Sequence, residues 1–296
     1  MKLAAVDIGS NAIRLQITNV THYEDKTTFK KLEYLRFPLR LGMDVFHVQK
    51  ISDKNRRKFV KLMKAFKLLI DLYEVDDYMV CATSAMRESA NGKEIADEVK
   101  QDIGLKIQII DGNREAELIN LALWSYIDGK PYLHIDVGGG STELNIYKNK
   151  QKVASKSFKI GSVRALDDNI PLSVWKSMNK FIEENITNKD KITCIGTGGN
   201  INKIFELSNP AKNKRYISPE KIKEIQEYLE SFSYADRINK LNLNPDRADV
   251  IIPASKIYLA AMTAAGSKKM IVPDVGLKDG LMNVLYERNK IKKIVK

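Results

Sequence analysis

The sequence predicts an α/β protein built from two copies of one plan. Three observations carry that prediction. LAAVDIGSNAIRLQITN opens the chain and YLHIDVGGGSTELNIYKN returns near its middle, with Asp7 and Asp136 in equivalent places, an offset of 129 (136 − 7). Strand-like apolar runs alternate with helical stripes along the chain, which is the pattern of α/β layers. Seven of the 16 glycines (Gly9, Gly138, Gly139, Gly140, Gly196, Gly198 and Gly199) fall in only three turns, each following a short apolar strand.

Each repeat copy reads as an apolar strand ending in Asp, a glycine turn and an alternating strand, in which Ile13, Leu15 and Ile17, or Leu144 and Ile146, share a face. Two β-hairpins follow from this. Between them, Ser52 can cap a helix whose Phe59, Leu62, Met63, Phe66, Leu69, Ile70 and Tyr73 keep the spacing of a core-facing stripe. A strand at 78–82 comes next, then a polar turn (TSAMRESANG). A helix over 94–103 stops at Gly104, and LKIQIID and NREAELINLALWSYI add a strand and a helix. After the second copy, a helix over 174–184 leads to the strand KITCIG and the turn GTGGN. Helices then dominate from 219 to 265, before a strand at MIVPD and a last helix. The duplication sets domains at 1–125 and 126–296, with a terminal helix over 281–296 packing back on the first.

Composition bounds the partners. The 296 residues carry 49 Lys+Arg against 37 Asp+Glu, a formal charge of +12. That surplus suits a polyanion, although basic side chains also simply keep a protein dispersed. No helix-turn-helix, zinc or RNP signature accompanies it, so nucleic acid is not expected as a partner. Cys81 and Cys194 both sit in apolar stretches without C-x-x-C spacing, which argues against a zinc site and for a reducing, cytoplasmic setting. The apolar run 250–266 contains Pro253 and Lys256 and falls short of a membrane span, so no membrane is expected either.

The glycine turns let backbone N–H groups approach an anion without a Cβ in the way, and three of them can converge on a phosphate chain in a cleft between the halves. No Walker P-loop is present, and the glycines of DVGGGSTEL precede a strand rather than a helix, against a dinucleotide fingerprint. His22, His47 and His134 are scattered and read as surface or packing residues, against a Ser-His-Asp hydrolase. The remaining chemistry is that of carboxylates beside the turns. Asp7, Asp136 and Glu143 are hard oxygen ligands suited to Mg²⁺ or Mn²⁺, and Glu115 stands where a strand gives way to a helix. A carboxylate near such a cation can orient or deprotonate a water for attack on phosphorus.

The segments DIGSNAIRL, FPLRLG, ATSAMRESANG, IIDGNREAEL, DVGGGSTEL, IGSVRAL, GTGGN, RADVIIPA and GLKDG occur in this order over almost the whole chain. Together they resemble the exopolyphosphatase/guanosine pentaphosphate phosphohydrolase (Ppx/GppA) family. The resemblance implies two duplicated ribonuclease-H-like domains of the actin and sugar-kinase type around a central cleft. It implies hydrolysis of the terminal phosphoanhydride of polyphosphate or guanosine pentaphosphate, with orthophosphate released, and a homodimer. By the same resemblance Glu115 is the base that activates water, Asp136 and Glu143 serve metal binding and catalysis, and Asp7 is the first-hairpin aspartate and a further metal ligand. Arg87 neutralises charge on the phosphate; Gly9, Ser10, Asn11, Gly138, Gly139, Gly140, Ser141, Ser162 and Gly198 line the phosphates; and Arg247 lies further along the substrate path. Departures are Arg114 where a second Glu is common before Glu115, Ala12 for Ser, Asn200 for Thr and Lys278 for Arg. A non-catalytic or weakly catalytic sensor that binds guanosine penta- or tetraphosphate, supported by Arg114 and the short length, and an actin-like small-molecule kinase are the alternatives. Within the resemblance, the charge of +12 reads as an electrostatic funnel for a linear polyphosphate.

Overall fold

A computed structural model describes residues 1–24, 26–167, 170–187, 191–211 and 215–294. The chain divides into two compact units: Met1–Ala122 together with the chain from Gly276 onward, and Leu123–Val275.

In the first unit, β1 (Lys2–Ile8), β2 (Ile13–Tyr23) and β3 (Lys26–Phe37) form an antiparallel meander. Helices α1 (Leu41–Val48) and α2 (Asp53–Leu72) lead to β4 (Asp77–Ala82). Then come α3 (Ser84–Glu88), α4 (Gly92–Ile103), β5 (Ile107–Ile109) and α5 (Gly112–Leu123). β4 joins β1 in parallel and β5 joins β4 in parallel, giving the order β3-β2-β1-β4-β5. β1 is apolar on both faces because it is central. Ala4, Val6 and Ile8 join one core with Phe59, Met63 and Phe66 of α2. Ser52 accepts from the N–H of Asn55 (3.3 Å), which caps α2 where the sequence places its start. Gly104 ends α4 at φ 75°, in the left-handed region.

The second unit repeats the plan. β6 (Tyr132–Val137), β7 (Thr142–Lys148) and β8 (Gln151–Phe158) form its meander, followed by α6 (Leu172–Asn185), β9 (Thr193–Thr197), α7 (Gly199–Leu207) and β10 (Tyr216–Ile217). Helices α8 (Pro219–Glu230), α9 (Tyr234–Asn239), α10 (Pro245–Ala248) and α11 (Ile251–Ala265) precede β11 (Met270–Ile271). The sheet order is β10-β11-β9-β6-β7-β8, with β6, β9 and β11 parallel. The five-strand order of the first sheet therefore recurs in the second, with β10 added at the edge. The start of the second strand pairs alike in both units: Ile13 pairs Phe37, and Thr142, 129 residues on (142 − 13), pairs Phe158. α11 is the central core helix of this unit, and its Ile257, Tyr258, Ala261 and Met262 are fully buried. That burial accounts for the apolar run seen in the sequence.

Some elements differ from the sequence prediction. The hairpins are three-stranded meanders, because β3 and β8 are outer strands with mostly exposed side chains and no apolar alternation to reveal them. The polar turn TSAMRESANG contains α3, whose five residues are too few to display a period.

Helix α12 (Leu277–Ile294) belongs to the first unit, where it packs against β1, β2 and β4. Its approach to α5 is close: a Cβ on Gly280 would stand 1.9 Å from the Leu118 carbonyl oxygen. Gly280→Ala therefore forces the two helices apart. Overpacking of this kind costs about 1–3 kcal/mol, read as a lowered Tm in thermal melting; an unchanged Tm would contradict this packing.

Candidate functional site

Both hairpins are closed by the same backbone bond. The N–H of Gly9 donates to the Ala12 carbonyl (3.2 Å) and that of Gly138 to the Ser141 carbonyl (2.9 Å). These two N–H groups, expected to face phosphate, are instead internal to the turns. Among the described residues the N–H groups of Gly139 and Gly140 donate to no protein acceptor, so they are the ones the second turn offers to an anion.

The closure sets what faces each aspartate. In the first unit Asp7 pairs across the strands with Arg14, and the Arg14 Nη1 donates to Asp7 Oδ2 at 2.8 Å. In the second unit Asp136 pairs with Glu143, and oxygens of the two carboxylates lie within 4.8 Å of each other. Two like charges held this close by strand register favour a cation between them. The three residues expected to bind metal thus differ in surroundings. Asp7 has an arginine against it, while Asp136 and Glu143 have each other.

Hydroxyl groups hold that pair. Ser141 Oγ (2.7 Å) and Ser157 Oγ (2.9 Å) both donate to Glu143 Oε1, and Thr197 Oγ1 donates to Asp136 Oδ1 (2.6 Å). The donor set is oxygen only and anionic, so it fits a hard divalent cation.

Residues expected at phosphates hold the second turn from below. The Ser162 N–H and Oγ both donate to the Gly138 carbonyl (2.9 and 3.3 Å). The N–H groups of Val163 and Arg164 donate to Gly139, and Arg164 Nε to Gly140 (2.8 Å). Gly161 permits the approach, since a Cβ there would stand 2.6 Å from Gly139 backbone atoms. Gly161 and Arg164 were missed in the sequence as turn supports; their place in IGSVRAL was the available signal. Gly198, at φ 108°, lets β9 turn into α7 beside Asp136, and a Cβ there would be 3.4 Å from Asp136 Oδ1. Arg247 Nη1 donates to the Gly199 carbonyl (2.5 Å), which ties it to that same turn.

The first turn is supported in an equivalent way. Arg40 and Gly42 donate their N–H groups to the carbonyls of Asn11 (3.0 Å) and Ser10 (2.8 Å). Ser10 Oγ lies 2.8 Å from Ser84 Oγ at the start of α3. Arg87, on α3, donates to the Ile110 carbonyl (2.6 Å) and stands 3.9 Å from Glu115 Oε2. Glu115 sits in the first turn of α5, where its N–H donates to the Asp111 carbonyl (3.0 Å), and its side chain is only 12% exposed. Arg114 turns to Glu117 (3.0 Å), so the residue that departs from the family pattern has a partner other than Glu115. Cys81, beside Asp7 in register, has its thiol pushed up to about 12, chiefly by burial and further by the Asp7 charge.

His134 is the main surprise. It is fully buried and linked to Thr197 (2.8 Å) and Asn145 (3.0 Å), not incidental. Burial drives its pKa down to about 3 from the ordinary 6.5, so the ring is neutral. Between these values the unfolded chain binds the extra proton, and stability falls as pH falls through that window. Thermal melting from pH 7 to 4 should show a shallower loss for His134→Gln than for the wild type. Equal slopes would contradict a neutral buried ring.

Duplicated sheets of this order with carboxylates beside their hairpin turns define a two-unit ribonuclease-H-like α/β protein. Residues 20–288 match the Ppx/GppA phosphatase family, and the chain belongs to that family. It is 29% identical to the bifunctional 3-dehydroquinate synthase/phosphatase of Fusobacterium nucleatum over 96% of this chain and 46% of that protein. It is 21% identical to exopolyphosphatase 1 of Mycobacterium tuberculosis, over 95% and 87%. Against the guanosine-5'-triphosphate,3'-diphosphate pyrophosphatase of Photobacterium profundum the identity is 22%, over 94% and 58%. The chain thus spans about half the length of two of these relatives. Its fold matches the solved exopolyphosphatase of Cytophaga hutchinsonii (TM-score 0.84, 21% identity, 97% of this chain and 98% of that one). It also matches the Aquifex aeolicus Ppx/GppA family member (TM-score 0.75, 24% identity, 97% and 98%).

Proposed function

We propose that the chain is a phosphatase that hydrolyses the terminal phosphoanhydride bond of inorganic polyphosphate or guanosine pentaphosphate and releases orthophosphate. The observation that carries the reading is the register-enforced pair Asp136–Glu143 beside a glycine turn with two N–H groups available. Family membership and relatives named for both substrates support the same class of reaction.

Asp136 and Glu143 would hold the divalent cation, which, when bound, neutralises charge on phosphate oxygens. The Gly139 and Gly140 N–H groups orient those oxygens. Glu115, a largely sequestered carboxylate with Arg87 at 3.9 Å, orients the attacking water and takes its proton. Arg87 adds positive charge where it develops in the transition state. Arg114, one support of the binding-only reading, pairs with Glu117 at 3.0 Å rather than with Glu115.

Phosphate release with Mg²⁺, compared for short and long polyphosphate, guanosine pentaphosphate and ATP, reads the substrate. On the preferred substrate, Glu115→Gln should keep KM and Tm close to wild type while kcat falls by about 10²–10⁴. Near wild-type kcat in that variant would remove Glu115 from its role.

A further inference from the structure

We infer that Thr197 and His134 are positioning residues that fix the Asp136 carboxylate for the divalent cation. The inference rests on the reading of Asp136 and Glu143 as cation ligands.

Four cross-strand contacts run in one line through the second sheet. Thr197 Oγ1 is 2.6 Å from Asp136 Oδ1, and His134 Nε2 is 2.8 Å from Thr197 Oγ1. Asn145 Nδ2 is 3.0 Å from His134 Nδ1, and Ser155 Oγ is 2.7 Å from Asn145 Oδ1. Three of these contacts join register partners: Asp136 with Thr197, His134 with Asn145, and Asn145 with Ser155. His134, Thr197 and Asn145 are at most 1% exposed, so these groups have essentially no water to turn to.

The direction of every link follows from the carboxylate end. An ionised Asp136 only accepts, so the single Thr197 proton points at it. Thr197 must then accept from the ring, which makes His134 Nε2 the protonated nitrogen and Nδ1 the acceptor. Asn145 in turn must present its NH₂ to Nδ1 and its oxygen to Ser155. One tautomer and one amide orientation satisfy the whole line, which ends on Asp136 Oδ1.

The duplication supplies an internal comparison. At the matching register positions the first sheet has Ala5 for His134, Gln16 for Asn145 and Cys81 for Thr197. The copy whose aspartate pairs with an arginine lacks the line; the copy with two facing carboxylates has it. Such supports of ligating carboxylates typically change metal affinity 10–100-fold.

The test is Mn²⁺ binding to the full chain without substrate, by calorimetric titration, with circular dichroism and thermal melting as checks of folding. Thr197→Val, which exchanges the hydroxyl for a methyl, should weaken Mn²⁺ about 10–100-fold. Thr197→Ser should stay near wild type. His134→Gln, which keeps an N–H near the Nε2 position, should bind more tightly than His134→Leu. If His134→Leu fails to fold, the Thr197 pair carries the test. Asp136→Asn separates the two levels. If it weakens Mn²⁺ while folded Thr197→Val binds as wild type, the positioning inference is overturned alone. If Asp136→Asn itself leaves affinity unchanged, the cation assignment is overturned and the inference with it.

Discussion

One backbone hydrogen bond, made twice, organises the chemistry. The bonds from Gly9 to Ala12 and from Gly138 to Ser141 close the two hairpins with the same geometry. Register then leaves no choice about which side chain faces each aspartate, because a shift by one residue would turn every side chain to the other face. In the first unit the facing residue is Arg14, and the aspartate's charge is balanced within the protein. In the second it is Glu143, and two carboxylates are held close. A duplicated scaffold has thus been given opposite electrostatics by one residue in each hairpin.

The surroundings follow from that difference. Each turn is supported through its carbonyls by the segment after its third strand, Arg40 and Gly42 in one unit and Ser162 to Arg164 in the other. Supporting the second turn through its carbonyls leaves the Gly139 and Gly140 N–H groups available to an anion, and the distant IGSVRAL segment provides that support. Among the described residues, the second unit alone adds a line of buried hydroxyl, imidazole and amide groups behind its aspartate. Unsatisfied polar groups at such depth are costly, so this line is kept complete or not built at all.

Much of this was legible in the sequence. The repeat predicted the two hairpins, and the Ser52 cap with the Phe59–Ile70 stripe predicted α2. The carboxylates beside the turns were found because motif spacing survives without knowledge of packing. β3 and β8 were not found, since an exposed outer strand carries no apolar period. His134, one of three scattered histidines, gives no sign of its partners in the sequence, because they lie on neighbouring strands that only the register brings together. Arg14 lay inside a recognised motif, but its meaning appears only with the register that sets it against Asp7.

The proposed phosphatase places the cation on the Asp136–Glu143 pair rather than on Asp7. The most direct measurement is the shift in Tm on adding Mn²⁺, since a ligand that binds only the folded state stabilises it. A shift is expected in the wild type and in Asp7→Asn, and its loss in Glu143→Gln. A shift that persists in Glu143→Gln and disappears in Asp7→Asn would overturn that placement.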